Sequence, residues 1–208
     1  MDHKAHWENI YQTKSPLEVS WYQREPAVSL GLIDRASVDR DAPIIDVGGG
    51  ASVLVDRLLS RGYLHVSVLD VSARALACAR ARLGDLARSV EWIEADITSF
   101  QPPHHFRVWH DRAVFHFLTD PPDRRAYVKA VNEGLEPGGH LIIATFAIGG
   151  PTKCSGLDIC QYDAARMSAE LGPGFELMEE VGETHATPAG KEQRFIFLRY
   201  RRRERDTD

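Results

Sequence analysis

Ile45-Asp46-Val47-Gly48-Gly49-Gly50-Ala51-Ser52 is the stretch that decides the fold. An apolar run over residues 43–47 reads as a strand and carries an acid just before its end. Three glycines follow, and then a helix-like pattern over about residues 52–60, closed by Gly62. Glycines at Gly48 and Gly50 permit a tight strand-to-helix turn and let the backbone approach a ligand closely.

Outward from this corner, strand-like and helix-like segments alternate. A second strand over 65–69 ends in Asp70, and Ser72 is placed to cap a helix that stops at Gly84. Strands over 90–93 and 106–109 lead to Asp96 and to His110-Asp111-Arg112. A helix over about 123–135 has Pro121 in its first turn, where a missing amide hydrogen costs little. The turn Glu136-Pro137-Gly138-Gly139 feeds an apolar strand over 140–146. An irregular stretch over 147–162 follows, whose glycine and proline content fits a mobile or a fixed loop. A short helix over about 162–171 then precedes two strands, 175–181 and 193–199, arriving back to back.

Alternation of this kind predicts an α/β fold with a mostly parallel sheet, and the last pair predicts an antiparallel hairpin. The first forty residues are aromatic and polar and read as one or two short helices. The expected organisation is a helical lid segment over 1–40, a nucleotide-binding domain over 41–200 and a charged tail over 201–208. Loops that follow parallel strands gather on one rim of such a sheet, where ligands bind. Asp46, Asp70, Asp96 and Asp111 all fall on that rim.

Bulk properties narrow the function. A chain of 208 residues is long enough for one domain with its own core. A net charge of −5 gives no electrostatic ground for a nucleic-acid partner. No segment approaches the roughly 18 apolar residues of a membrane span, so no membrane partner is expected. The start of the chain lacks the apolar core of a secretion signal. Three cysteines argue against a disulfide framework and for a reducing cytoplasm. His104, His105, His110 and His140 show no ligand-like spacing, so no metal is expected. Oligomeric state is not legible.

Which nucleotide the corner serves follows from two details. Asp70 lies 22 residues after Gly48, near the roughly 20 expected of an acid that binds a ribose diol. A dinucleotide site wants a third glycine where this chain has Val53, and it has no use for the carboxylate of Asp46. A ligand carrying an ammonium and a sulfonium does. Taken singly, the glycines read as a plain tight turn and Asp70 as a surface strand end; the joint spacing favours S-adenosyl-L-methionine.

At this point the chain resembles the class I methyltransferase family over nearly its whole length. Asp46-Val47-Gly48-Gly49-Gly50 is similar to the family's glycine motif and Val68-Leu69-Asp70-Val71-Ser72 to its ribose-binding strand end. Glu94-Ala95-Asp96-Ile97 matches the adenine segment, and Leu135-Glu136-Pro137-Gly138-Gly139-His140-Leu141 the turn before the fifth strand. The resemblance implies a three-layer Rossmann-like fold with a seven-stranded sheet. It also implies that Gly48 and Gly50 contact the methionine moiety, that Asp70 takes the ribose hydroxyls, that Asp96 takes the adenine amino group, and that Val71 and Ile97 pack on the ring. Where the family often has a further glycine this chain has Ser52, which still offers its amide and hydroxyl.

Methyl transfer from a sulfonium is a direct displacement, so alignment and exclusion of water matter more than leaving-group chemistry. The segment from Trp109 to Leu118 lies where acceptors meet the methyl group in this family. Within it Asp111 and Arg112 are expected beside the acceptor, and Asp111 or His116 serves as a base or orients it. The other reading for Asp111 is an ion pair with Arg112 or another cation that holds the rim together, and for His116 a satisfied, half-buried histidine. Phe115 and Phe117, with Tyr11, Trp21 and Tyr22, are candidates to roof the site. Trp7 is expected to pack the first helix onto the sheet.

The run from Asp111 to Tyr127 resembles thiopurine, thiol, halide and tellurite-resistance methyltransferases, which implies a small, soft acceptor such as a thiol or a selenium or tellurium species. Cys154 and Cys160, with Cys78, suit a thiophilic metalloid in principle; ordinary free cysteines are the preferred reading. The competing acceptor is a protein lysine, because His6-Trp7-Glu8-Asn9-Ile10-Tyr11 also looks like the leading helix of lysine methyltransferases. An Asn-Pro-Pro-Tyr-like loop, used by many amine methylators, is missing here. A catalytically silent S-adenosylmethionine binder is the reading from another class.

Overall fold

A computed structural model of the chain describes residues 2–204. Two helices open it, α1 (His3–Thr13) and α2 (Ala27–Arg35). Next come β1 (Ile44–Val47), α3 (Leu54–Ser60), β2 (Val66–Asp70), α4 (Ala73–Leu83), β3 (Val90–Glu94), β4 (Phe106–Arg112), α5 (Pro121–Gly134) and β5 (Leu135–Phe146). A two-residue ribbon, β6 (Lys153–Cys154) and β7 (Leu157–Asp158), precedes α6 (Ala164–Leu171), β8 (Phe175–Ala186) and β9 (Glu192–Arg202). The seven long strands form one sheet in the order β3-β2-β1-β4-β5-β9-β8. Neighbours from β3 to β5 run parallel, and β9 is antiparallel to both β5 and β8. This is the expected Rossmann-like architecture.

Strand alternation divides the core into two layers. Ile45, Val47 and Ile143 face one side, against Tyr127 and Val131 of α5 and Met167 of α6. Ile44 and Ile142 face the other, against Leu30 and Ile33 of α2, Leu54 and Leu58 of α3 and Leu76 of α4. Ser72 caps α4 as expected, its side chain accepting from Ala75 N at 3.1 Å, and Gly84 closes that helix. The strand order reverses at β1, between β2 and β4, so the rim beside the glycine corner is the switch point where ligands bind such sheets.

Three boundaries differ from expectation. α2 is part of the core rather than of a lid: Leu30, Leu32 and Ile33 are fully buried, so packing does not break at residue 40. β9 continues through Arg202, with Arg201 paired to His140 and Glu176; the basic run starts inside the sheet, and only residues 205–208 of the expected tail lie outside the described residues. β5 begins at Leu135 and takes in the Glu136–Gly139 turn through a register shift against β4. The 147–162 stretch is tied by Gln161, whose side chain bonds Gly149 N, Gly150 O and Pro151 O. Among the described residues no helix is long and apolar enough to cross a membrane.

Candidate active site

The glycine corner is shaped by what crowds it. Gly48 has φ +68° and Gly50 φ +26°, and a Cβ at either would overlap a neighbour, Val114 for Gly48 and the Asp70 carboxylate for Gly50. Gly48 N and Gly49 N both donate to Leu69 O, at 2.7 and 3.2 Å. Ser52 Oγ accepts from Leu54 N at 3.1 Å and opens α3. Arg82, which the motif gives no hint of, reaches from α4 to donate to Ala51 O at 2.9 Å and Ser52 O at 2.5 Å while pairing with Asp56. A helix two elements away thus pins the loop.

Beside the corner runs a cleft with about 920 Å³ of empty space including its open mouth. Asp70, Val71, Asp96 and Ile97 line it. Asp70 is buried, its Oδ1 accepts from Ser72 N at 2.8 Å, and burial pushes its pKa up to about 7 against that hydrogen bond, with Asp46 nearby adding to the rise. Such a carboxylate gains from accepting hydroxyl donors. Exposed Asp96 uses Oδ1 to hold Thr98 N and Oγ1, at 2.8 and 2.7 Å. Its second oxygen has no partner among the described residues.

The opposite wall is aromatic. Trp7, Tyr11, Trp21 and Phe117 line the cleft. Trp7 meets Trp21 and Phe117 edge-on, with centroids 5.5 and 5.0 Å apart, and Tyr11 meets Trp21 at 6.4 Å. Trp7 therefore does more than pack α1 onto the sheet. Phe115 is the reverse case: it is fully buried against Tyr127 and Tyr162 and does not reach the cleft. Tyr22 lines an adjoining recess, together with Asp46, Gly48, Gly49 and Ser52. Ion pairs Glu8–Arg74 and Lys4–Glu94 hold α1 across the rim, and His185 and Gln23 tie residues 20–23 down to β8.

Arg112 borders both cavities. Its Nη1 donates to Trp21 O at 3.0 Å and its guanidinium lies 4.4 Å over the Phe195 ring. Glu183 pairs with it at 3.7 Å, too far for a hydrogen bond, and Nε and Nη2 are buried without a hydrogen-bond partner among the described residues. Burial pulls its pKa down to about 10, so it is a cation at neutral pH.

Asp111 and His116 sit elsewhere. Asp111 is fully buried on the other face of the sheet, where it accepts from Val114 N (3.0 Å), Phe115 N (3.2 Å) and Tyr127 OH (2.7 Å). Those bonds hold the turn in which Ala113 adopts φ +70°. Burial raises its pKa to about 6, yet it does not line the cleft. The alternative pairing with Arg112 does not form either, because adjacent strand residues point to opposite faces. His116 stacks on Phe146 with centroids 4.8 Å apart and receives Phe146 N at 3.4 Å. It is fully buried, and burial followed by the Arg112 charge pushes its pKa down to about 3. It too is absent from the cleft lining.

The family model of the methyltransferase domain matches residues 44–139, from β1 into the first residues of β5, and so takes in the glycine corner, Asp70, Asp96 and Arg112. The protein is an S-adenosylmethionine-dependent methyltransferase. Mouse EEF1A lysine methyltransferase 2 is 21% identical to it over 195 residues, covering 86% of this chain and 73% of that protein. Thiocyanate methyltransferase 1 of Arabidopsis thaliana is 26% identical over 194 residues, covering 89% and 79%. The N-methyltransferase NodS from Bradyrhizobium japonicum WM9, solved with S-adenosyl-L-homocysteine, superposes with a TM-score of 0.72 at 18% identity, over 98% of this chain and 100% of that one. These relatives agree on methyl transfer and differ, by name, in the acceptor.

The methyltransferase's own residues fit its cofactor. Asp46 Oδ2 is a buried carboxylate oxygen without a partner, on the recess beside the corner. A buried, unpaired acceptor costs free energy unless a donor reaches it, and a cationic amino group is such a donor. The cysteines do not converge as a metalloid set would. Cys154 lines the cleft and packs with the α2–α4 layer, whereas Cys160 packs with the opposite one. Among the described residues no three His, Cys, Asp or Glu side chains gather as a metal set.

Proposed function

We propose that the methyltransferase acts on a small, soft acceptor that arrives as an anion, a thiolate or its selenium or tellurium counterpart. Bound S-adenosylmethionine supplies a methyl group on a sulfonium, already activated for displacement. The chain's part is to hold and exclude. Asp70 receives the ribose hydroxyls, Asp96 the adenine amino group, and Val71 and Ile97 flank the ring. Gly48, Gly50 and Ser52 take the methionine end, and Asp46 its ammonium. Tyr11 and Trp21, with Trp7 and Phe117, close the site against water. Asp111 acts as a positioning residue that keeps the 113–117 turn in place.

One observation supports the acceptor class: Arg112, ion-paired with Glu183 at 3.7 Å, borders the cleft with Nε and Nη2 buried and without a hydrogen-bond partner among the described residues, while both expected bases, Asp111 and His116, lie outside it. A cation with hydrogen-bonding capacity left over suits an anionic nucleophile. A thiol with a pKa of about 8.5 reaches that state with little help, whereas a lysine ammonium at about 10.4 must first lose a proton and meets Arg112 with like charge. Free thiols at all three cysteines fit work in a reducing cytoplasm.

Incubation with methyl-labelled S-adenosylmethionine and a panel of small thiols, hydrosulfide, selenide and cell lysate tests the reading. Label is expected in a small volatile or thioether product. Label in a protein band supports the lysine alternative, and tight binding with label nowhere supports a silent binder; either overturns the proposal.

A further inference from the structure

Under the glycine corner runs a buried polar chain that methyl transfer itself does not use. Asp46 comes from β1, His110 from β4 and Ser29 from α2. β1 and β4 pair with Asp46 opposite His110. His110 Nδ1 lies 2.7 Å from Asp46 Oδ1, and its Nε2 lies 2.9 Å from Ser29 Oγ. All three residues are buried, at 3% exposure or less. The remaining Asp46 oxygen, Oδ2, has no partner. A Cβ at Gly49 would lie 2.5 Å from it, so it points into the glycine corner.

A carboxylate offers only lone pairs, so Nδ1 donates to it; in the neutral ring Nε2 then accepts from the Ser29 hydroxyl. The chain Ser29 to His110 to Asp46 runs in one direction and fixes the rotation of the carboxylate. A purely structural pair would gain by satisfying both oxygens, since an unpartnered buried acceptor costs its full desolvation. Here one oxygen is anchored and the other is kept open toward the recess.

We propose that His110 is a positioning residue for cofactor binding, holding Asp46 so that Oδ2 receives the ammonium of the methionine end. This rests on the assignment of Asp46 to that ammonium made above.

Calorimetry on the whole chain with two ligands tests it: S-adenosylhomocysteine, and 5′-methylthioadenosine, which keeps the adenosine and lacks the amino-acid end. His110→Leu is expected to weaken the first about tenfold, the scale seen when a supporting hydrogen bond to a ligand-binding group is lost. The second should stay within about twofold. His110→Asn, which restores an N–H toward Asp46, should recover most of the loss. Equal weakening of both ligands would overturn the proposal, since a general packing defect does not distinguish them. Asp46→Asn separates the two claims. If it leaves the ratio of the two affinities unchanged, the Asp46 assignment fails and the proposal with it. If it collapses the ratio and His110→Leu does not, the positioning role alone is overturned. Should His110→Leu fail to fold, Ser29→Ala cuts the far end of the chain; a ratio lowered about threefold supports the role, and an unchanged ratio overturns it.

Discussion

Arg112→Met lowers kcat/KM for a thiol acceptor by about a hundredfold while S-adenosylhomocysteine affinity falls by no more than about threefold. Methionine keeps much of the stem's bulk and removes the charge, together with the guanidinium's contact over Phe195. The lost contact is a hydrogen bond from a buried cation to an anion, on the order of 1.5–3 kcal/mol, which corresponds to roughly ten- to a hundredfold at 1.4 kcal/mol per decade. The upper end is expected because Nε and Nη2 are buried and make no hydrogen bond among the described residues, Glu183 standing off at 3.7 Å. The small effect on the cofactor comes from the Nη1 bond to Trp21 O, which steadies residues 20–23 across the rim. Arg112→Lys should recover part of the rate, since it restores charge without the planar fork. Steady-state kinetics alongside calorimetry check this; a rate loss no larger than the loss of cofactor affinity would remove Arg112 from the acceptor's side.

Gly50→Ala is the second large effect. The new methyl group would overlap Asp70 Oδ2 and lie 2.9 Å from Ala75 Cβ, at a backbone φ of +26°. Ala75 is anchored in α4, so the Asp70 carboxylate must give way. That carboxylate is the group assigned to the ribose hydroxyls, and its displacement is expected to weaken S-adenosylhomocysteine binding at least a hundredfold. Gly62→Ala is the control: φ is +84°, but nothing lies within 4 Å of the added carbon. It should lower stability by about 1–3 kcal/mol, the cost of a left-handed non-glycine residue, and leave binding unchanged. Calorimetry and thermal melts on both variants decide between lost affinity and lost fold; wild-type affinity in Gly50→Ala would break the link between the corner and Asp70.

What was legible in the sequence was whatever is local. The glycine corner, Asp70 and Asp96 are strand-end features whose spacing along the chain records their place on the rim. Ending β4 at Trp109 misplaces Asp111; with the strand running through Arg112, alternation sends Asp111 under α5 and leaves Arg112 on the cleft. Trp7 and Phe115 exchanged roles for a similar reason, since four-residue helical spacing does not say which face of α1 overhangs the cleft. The partners of the polar groups were out of reach altogether. Ser29 meets His110 across 81 residues and Arg112 bonds Trp21 across 91, and no short-range pattern encodes such contacts. Arg82 belongs to the same class: its two bonds to the loop, to Ala51 O and Ser52 O, depend on how α4 packs beside α3.

A cleft that holds the Arg112 cation, with Asp70 and Asp96 assigned to the cofactor and neither Asp111 nor His116 in its lining, should leave ionisation to the acceptor itself. The direct test is the pH dependence of kcat/KM for a series of small thiols with different pKa values, measured at saturating cofactor so that the titration of Asp70 near 7 does not enter. The rate is predicted to rise with pH to a plateau whose midpoint follows each thiol's own pKa. A midpoint that stays fixed across the series would reveal a base on the protein and contradict the account.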